Sequence, residues 1–489
     1  MADTDLDLIA RIYPIGEKDI AEKFQYATRT VTGNQRCRFS PPKGSPQPEL
    51  RRDAREATEP PDSQETRKKG TDLGSLPYLE LRFSDGPRAP STGFVFGTDS
   101  DRSDVVLRPN ISRLSRRHFA LTYKMLADGF YRLVVRDLGS LGGTRVTYDK
   151  QGDEVRRNFD WIIAGYDFPE NAKTINIQLP DGIKFQIVVV PHDITSPAYA
   201  NKVKRFLDGA AGSDVLFGSL QLQSGPHTEA STAAQTPSRQ PILINRGEIA
   251  RGQFGVVSRR WDVSTGVEYA CKKPIDKNYK REDWTREIAI MSDAKHAHIV
   301  QLCGSSTSPH RLFMEYMIHG NLQDEHNQRN FSFDECAEIL RQSLSALVYL
   351  HGPPKPTAHR DLKPENILVQ SRYPLHIKLG DFGFAKAGNL KTHCGTATYA
   401  APEVQPDSSS RSHTVAMDIW SLAVVIYHFQ YRLPAPGSGE KMRWCLKIAE
   451  AQRRQRRQHY QQKNHQIPSR APLGPRFGSD FTADFDGTK

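Results

Sequence analysis

Between residues 76 and 190 apolar and polar side chains alternate in short runs, as in Tyr78-Leu79-Glu80-Leu81-Arg82-Phe83, Phe119-Ala120-Leu121-Thr122-Tyr123 and Tyr131-Arg132-Leu133-Val134-Val135. A two-residue period turns one face of each run to a core, so these runs predict strands, and the Gly, Asp, Ser and Pro between them predict turns. Many short strands with regular turns predict an all-β sandwich. A second domain is expected from about Ile242 to residue 450, where Trp284, Ile288 and Met291 recur at helical spacing. The longest apolar run, near Ile419 to Tyr427, is too short to cross a bilayer. Residues 1–75 open on a small apolar patch, Leu8, Ile9, Ile12 and Tyr13, and then turn to Pro, Arg, Glu and Gln, which predicts a flexible arm. Residues 191–241, rich in Ser, Thr, Ala, Gln, Gly and Pro, predict a disordered linker. Residues 451–489, with Arg453-Arg454-Gln455-Arg456-Arg457, predict a basic, Gln-rich disordered tail.

Composition agrees with this division. A chain of 489 residues is too long for one core and suits two to three domains. Hydrophobic content of 37%, with 32 prolines and 35 glycines, leaves room for long connecting segments. The 67 basic residues exceed the 56 acidic ones by 11, which favours phosphorylated or acidic partners without implying a specific nucleic-acid interface. Six scattered cysteines with no CxxC pair argue against a disulfide framework or a structural zinc site and for a reducing compartment. The acidic start, Met1-Ala2-Asp3-Thr4-Asp5, is unlike a secretory signal. A soluble intracellular protein of nucleus or cytoplasm, with no membrane partner, is expected.

The most specific chemistry lies in His359-Arg360-Asp361-Leu362-Lys363-Pro364-Glu365-Asn366, followed by Asp381-Phe382-Gly383. An aspartate able to take a hydroxyl proton, an asparagine five positions on and a second aspartate before glycine describe a phosphoryl-transfer centre with bound magnesium. The chain resembles a eukaryotic protein kinase, which implies an α+β bilobal fold after the sandwich and ATP with Mg2+ as cofactors. The resemblance makes Asp361 the group that orients and deprotonates the acceptor hydroxyl, Lys363 the cation that steadies the transferred phosphoryl group, and Asn366 and Asp381 the magnesium ligands. Lys363 two residues after the base is the serine/threonine pattern of the family.

Upstream, Ala250-Arg251-Gly252-Gln253-Phe254-Gly255-Val256-Val257 resembles the glycine-rich loop over the ATP phosphates, with Ala250 at its first glycine. Gly252 and Gly255 would let backbone N–H groups approach the phosphates. Lys272, in Glu268-Tyr269-Ala270-Cys271-Lys272-Lys273, matches the phosphate-holding lysine, and Lys273 is expected on the opposite face. Glu287, flanking the Trp284/Ile288/Met291 stripe, would be its carboxylate partner. By the same resemblance Met291, Leu302, His359 and Phe382 stack between the lobes and Met314 is the gatekeeper. Glu315 to Met317 would form the hinge, with Val257 and Ala270 covering adenine. The loop from Asp381 closes on Gly395-Thr396-Ala397-Thr398-Tyr399-Ala400-Ala401-Pro402-Glu403, where Thr396 would position Asp361 and the substrate. Arg360 beside the base suggests control by loop phosphorylation, with Thr392 the candidate acceptor. Asp418-Ile419-Trp420-Ser421-Leu422-Ala423 fits the buried central helix of the large lobe. The rest of that lobe is not recognisable after Tyr431, as truncation, an alternative exon or a faulty gene model would each produce.

In the sandwich, Phe96-Gly97, Leu114-Ser115-Arg116-Arg117-His118-Phe119 and Asp137-Leu138-Gly139-Ser140-Leu141-Gly142-Gly143-Thr144 resemble, in order and spacing, the signatures of forkhead-associated (FHA) domains, readers of phosphothreonine peptides. Ser115, Arg116, His118 and Gly143 match that pattern. Thr98 stands where the phosphate-binding Arg is usual and Gly142 where Asn is usual, with Arg102 or Arg113 as substitutes for the charge. The pairing of this module with a kinase resembles the checkpoint kinases of the DNA-damage response. The expected function is ATP-dependent phosphorylation of protein Ser and Thr, with phosphothreonine peptides as partners of the sandwich. A catalytically silent kinase-like adaptor acting through phosphopeptide binding is the alternative. Thr228, Thr232 and Thr236 in the linker are either phosphorylated marks or plain spacer, and Arg453 to Arg457 either a nuclear-import or nucleic-acid patch or a solvated tail.

Overall fold

The computed structural model describes residues 5–15, 38–40, 76–107, 111–209, 240–252, 255–275, 280–387, 398–404 and 414–431, together with 73, 396, 433, 450 and 454. The chain forms two compact units, Met1–Arg251 with Val256–Cys271, and Gly252–Gly255 with Lys272–Lys489. Thr392, the linker threonines 228, 232 and 236, and all of the Arg453–Arg457 run but Arg454 lie outside the described residues.

The first unit is a β-sandwich. Strands β1 (Leu8–Pro14), β2 (Arg38–Ser40), β3 (Tyr78–Arg82), β8 (Arg145–Tyr148), β10 (Ile175–Gln178) and β11 (Lys184–Val189) form one sheet in the order β2-β3-β1-β11-β10-β8. Strands β4 (Phe94–Gly97), β5 (Val105–Val106), β6 (Phe119–Met125), β7 (Tyr131–Asp137) and β9 (Asp160–Ile162) form the other, in the order β5-β4-β6-β7-β9. The three runs with alternating polarity are β3, β6 and β7. Leu79, Leu81, Ile12, Phe185 and Ile187 of the first sheet share one buried core with Phe119, Leu121, Leu133 and Val135 of the second. The ring of Phe96 lies 4.4 Å from Phe119 and 6.3 Å from Phe185.

Two expectations about connecting segments are corrected here. Residues 8–14, assigned to a flexible arm, are β1, a central strand paired antiparallel with β3 and β11. Six of its seven residues are buried, so the small apolar patch finds its partners far away in the chain. Residues 197–208, assigned to a disordered linker, are a helix (Pro197–Asp208) capped by Ser196, whose side chain accepts from the Ala198 N–H. Proline at its first position suits a helix start, and Tyr199, Val203 and Phe206 fill one face. Phe206 packs 5.4 Å from Tyr123 and 5.5 Å from Phe94.

The first hairpin of the second domain, expected from about Ile242, is also counted with the first unit. The antiparallel hairpin of β12 (Leu243–Arg251) and β13 (Val256–Asp262) belongs to the sandwich unit. Ile242, Ile244, Trp261 and Val263 are buried in the sandwich core rather than starting a separate one. Strand β14 (Glu268–Lys273) carries the chain across the join of the units, after Cys271.

The second unit holds the helix Arg281–Asp293, the hairpin of β15 (Leu302–Thr307) and β16 (His310–Glu315), the helices Leu322–Gln328 and Phe333–His351, the hairpin of Ile367–Arg372 with Leu375–Leu379, and the helix Ala416–Gln430. The Phe333 helix begins with a reciprocal Ser332/Glu335 capping box, which satisfies two exposed N–H groups. The Ala416 helix is the expected central one, burying Met417, Asp418, Leu422, Val424 and Val425. Among the described residues no helix is long and apolar enough to cross a membrane. Cys271, Cys303 and Cys336 are free thiols.

Candidate active site

Lys272 and Lys273 are neighbours on a strand, where side chains alternate in direction. Lys272 is buried and Lys273 exposed, as expected. The Lys272 Nζ donates to Glu287 Oε1 at 2.6 Å and to Asp381 Oδ1 at 2.8 Å. Burial alone would lower the lysine pKa, but the two carboxylates outweigh it and bring it up to about 12, so the cation is locked in its charged form. Burial pushes the Asp381 carboxyl up, yet Lys272 outweighs it and holds the group below its usual range. Glu287 comes from the Arg281 helix, whose buried face is Trp284, Glu287 and Met291. That helix packs on the turn Phe382–Phe384, and the Phe382 ring lies 5.0 Å from the His359 ring. Met291, His359 and Phe382 are buried and Leu302 half-buried.

The loop after Ala358 converges on Asp361. Asp361 Oδ1 accepts from the Thr396 N–H (2.9 Å) and hydroxyl (3.0 Å), and Oδ2 pairs with Lys363 Nζ at 2.9 Å. The Asn366 amide donates to the Asp361 carbonyl (2.7 Å) and to Oδ2 (3.0 Å). Lys363 also donates to the Thr396 hydroxyl at 3.1 Å. Asp361 is thus held by three side chains and one amide.

Sequence reasoning gave Asp418 no part in this. The carboxylate, 1% exposed, accepts from the backbone N–H of His359 and of Arg360, each at 2.8 Å, and is 2.8 Å from His351 Nε2. It therefore fixes the two residues before Asp361, one of which, Arg360, has φ of 73°. In the sequence Asp418 shows only as part of the run expected to form the central helix.

Gly255 is buried, and a Cβ there would lie 2.6 Å from the Lys273 carbonyl oxygen and 3.2 Å from Lys272 Cγ. Only glycine lets the loop lie this close to the lysine strand. Gly252 is exposed, with open space where a Cβ would be, and its N–H donates to the Gly255 carbonyl at 3.0 Å. Met314 and Met317 are buried, and the Glu315 carboxylate is taken by Lys378 Nζ at 2.7 and 2.8 Å. Val257 and Ala270 belong to the other unit, half-buried on β13 and buried on β14.

A model of the protein kinase domain matches residues 244–473. Aurora kinase B of Mus musculus is 32% identical over 240 residues, 45% of this chain and 67% of that protein. The chain belongs to the protein kinase family. Serine/threonine-protein kinase Rad53 of Saccharomyces cerevisiae is 27% identical over 342 residues, 65% of this chain and 39% of that protein. A crystal structure of Rad53 1–466 in complex with AMP-PNP aligns at TM-score 0.46 and 23% identity, over 77% of this chain and 82% of that one. The chain spans half or less of the length of the first curated relatives it matches, such as 50% of the Aurora kinase of Yarrowia lipolytica. The kinase fold implies ATP and a divalent metal, and the residues present fit both. Asp381, with its side chain 39% exposed, and Asn366 offer hard oxygen donors. Mg2+ is held by one or two carboxylates and completed by substrate phosphates, and Asp381 with Asn366 is a donor set of that kind.

In the sandwich, the three loops singled out from sequence are joined by hydrogen bonds. Ser115 Oγ accepts from the Leu141 N–H at 2.8 Å, the Ser115 N–H donates to His118 Nδ1 at 3.2 Å, and His118 Nε2 lies 3.1 Å from the Gly143 carbonyl. Asp137 ties the third loop, accepting from the N–H groups of Gly139, Ser140 and Asn158 and from the hydroxyls of Ser140 and Thr144. Arg102, Arg113 and Arg116 are exposed. A Cβ on Gly142 would lie 2.2 Å from Pro180 Cγ and 2.8 Å from the Arg113 carbonyl, so no asparagine fits there without movement.

Proposed function

We propose that this protein transfers the γ-phosphoryl group of ATP to serine and threonine hydroxyls of proteins, and that its sandwich is an FHA-type module reading phosphothreonine peptides. The observation that carries the catalytic part is the Glu287–Lys272–Asp381 chain of ion pairs beside an Asp361 gripped by Thr396, Lys363 and Asn366. In this reading Lys272 holds the α- and β-phosphates, and Gly252 and Gly255 bring backbone N–H groups to the triphosphate. Asp361 orients the acceptor hydroxyl and takes its proton as the oxygen bonds to the γ-phosphorus, while the electron pair of the broken P–O bond leaves with ADP. Lys363 neutralises charge on the transferred group. Asn366 and Asp381 would hold magnesium, which when bound would supply positive charge against the phosphates. The hinge, Glu315 to Met317, presents its backbone to adenine, with Val257 and Ala270 over the ring, and phosphorylation of Thr392 orders its loop against Arg360.

The sandwich reading rests on the joined loops around Ser115, Arg116, His118 and Gly143, with Arg102 or Arg113 supplying the charge that Thr98 lacks. Tethering a reader to a kinase concentrates it near primed substrates, in keeping with a role in phospho-signalling such as a DNA-damage checkpoint.

The test is incubation of the full chain with γ-labelled ATP, magnesium and a peptide mixture containing Ser, Thr and Tyr. Label on Ser and Thr alone is expected. No magnesium-dependent label is the result of a silent adaptor, and label on Tyr overturns the assigned specificity.

A further inference from the structure

The hairpin that carries the glycine-rich loop at its turn is not free of the sandwich. Trp261 of β13 is 1% exposed and meets three sandwich rings edge-on, Phe168 at 5.2 Å, Tyr148 at 5.6 Å and Tyr166 at 6.5 Å. The Arg246 guanidinium lies 4.0 Å over Phe168. Backbone pairing crosses the same seam from the Ile162 N–H to the Val263 carbonyl at 2.8 Å, and the base of the hairpin is closed by the Val263 N–H donating to the Ile242 carbonyl at 3.1 Å.

One short segment, residues 144–158, touches both this hairpin and the loops of the phosphothreonine reader. On the hairpin side, the Gln151 amide imitates a strand partner, accepting from the Asn245 N–H at 2.9 Å and donating to the Asn245 carbonyl at 3.2 Å. Arg156 Nη2 donates to the Gln240 carbonyl at 3.1 Å, and a Cβ on Gly152 would lie 2.9 Å from Ile244 Cδ1. On the loop side, Thr144 and Arg156 exchange two backbone hydrogen bonds of 2.9 Å, and the Asn158 N–H donates to Asp137 Oδ1. A Cβ on Gly143, whose carbonyl faces His118, would lie 2.5 Å from Val155 Cγ1.

We propose that residues 144–158 couple the two sites, so that a phosphothreonine peptide on the sandwich loops raises the affinity of the hairpin's glycine-rich loop for ATP, and ATP raises the affinity for peptide equally. Each ligand orders the same backbone, and the second to bind has less ordering left to cost it. Reciprocity is required by linkage. The proposal rests on the phosphothreonine reading given above.

The test uses the full chain, a non-hydrolysable ATP analogue with magnesium, and a phosphothreonine peptide beside its unphosphorylated form. The expected result is analogue binding about 5-fold tighter with phosphopeptide, at the low end of known couplings. The analogue alone should slow amide exchange over 144–158. Both effects should vanish in the double variant Gln151→Ala/Arg156→Ala, with its peptide affinity and thermal midpoint kept. Independent binding of the two ligands, or exchange over 144–158 that ignores the analogue, overturns the coupling. Protection of 144–158 by the analogue in a chain that binds no phosphopeptide supports the coupling segment and rejects the phosphothreonine reading instead.

Discussion

Replacing Asp418 by Asn changes one heavy atom and should disable the catalytic loop. Asp418 Oδ1 accepts from the Arg360 N–H and Oδ2 from the His359 N–H, each at 2.8 Å, with His351 Nε2 2.8 Å from Oδ2. An asparagine of the same shape keeps one acceptor oxygen and turns an NH2 group toward a buried N–H. One charge-assisted bond is lost and one buried donor orphaned, a cost of about 2–4 kcal/mol. For a unit of this size that lowers the melting temperature by roughly 5–15 °C. Asp361 follows Arg360 directly, and a displacement of about 1 Å at a reacting group costs on the order of 100-fold in rate. The Lys272–Glu287–Asp381 pairs do not involve Asp418, so nucleotide affinity should stay within about 2-fold, a split that mere loss of folded protein would not give. Steady-state peptide phosphorylation, analogue titration and thermal denaturation of the two proteins measure all three quantities. An Asn variant with wild-type kcat and melting temperature refutes the argument.

Gly255→Ala should weaken ATP-analogue binding about 10-fold in a fluorescence titration, because its Cβ would lie 2.6 Å from the Lys273 carbonyl oxygen and the loop must lift away; unchanged affinity contradicts this. Gly142→Asn, which restores the usual FHA residue, should cost the sandwich about 1–3 kcal/mol in urea denaturation and gain no phosphopeptide affinity, since Pro180 and Arg113 occupy the space. His118 has its pKa pushed below 6.5 by burial, opposed by the Gly143 carbonyl, so it stays neutral in the folded loop. Below pH 6.5 the unfolded chain takes up the proton first, and stability, full above that pH, declines as pH falls toward the folded value. His118→Gln should flatten that decline in urea midpoints taken at pH 7.5 and 5.5, leaving the parts due to His192, His296, His298, His326 and His428, which burial also lowers; an unflattened slope counts against it.

What could be read from the sequence was what lies close together in it. The stretch from His359 to Asn366 and the Asp381-Phe382-Gly383 turn name their own chemistry, and the geometry brings Asp361, Lys363, Asn366 and Thr396 within hydrogen-bonding reach. Lys272 and Glu287 were found by resemblance, from their order after the glycine-rich loop, with Glu287 flanking an apolar stripe of helical spacing. Strand β1 was missed because its partners, Tyr78–Arg82 and Lys184–Val189, are remote, and seven residues beside a polar stretch look like an arm. The helix at Pro197–Asp208 had its Ser196 cap, Pro197 and the 199/203/206 spacing in view, but the composition of the wider segment masked them. Trp261 falls within the second domain expected from about Ile242, and nothing local reveals that its ring is buried among Tyr148, Tyr166 and Phe168. Asp418 was legible as part of a helix and not as the anchor of a loop some 58 residues earlier.

The account turns on Asp361 acting as the group that receives the hydroxyl proton. Transfer of labelled phosphate from γ-labelled ATP to a Ser/Thr peptide should be compared between the purified full chain and Asp361→Ala, at saturating peptide and magnesium. The expected result is incorporation by the unaltered protein and a fall of roughly 100- to 10,000-fold in the variant, with analogue binding retained. Equal incorporation by both proteins, or none by either while both bind nucleotide, contradicts the catalytic assignment.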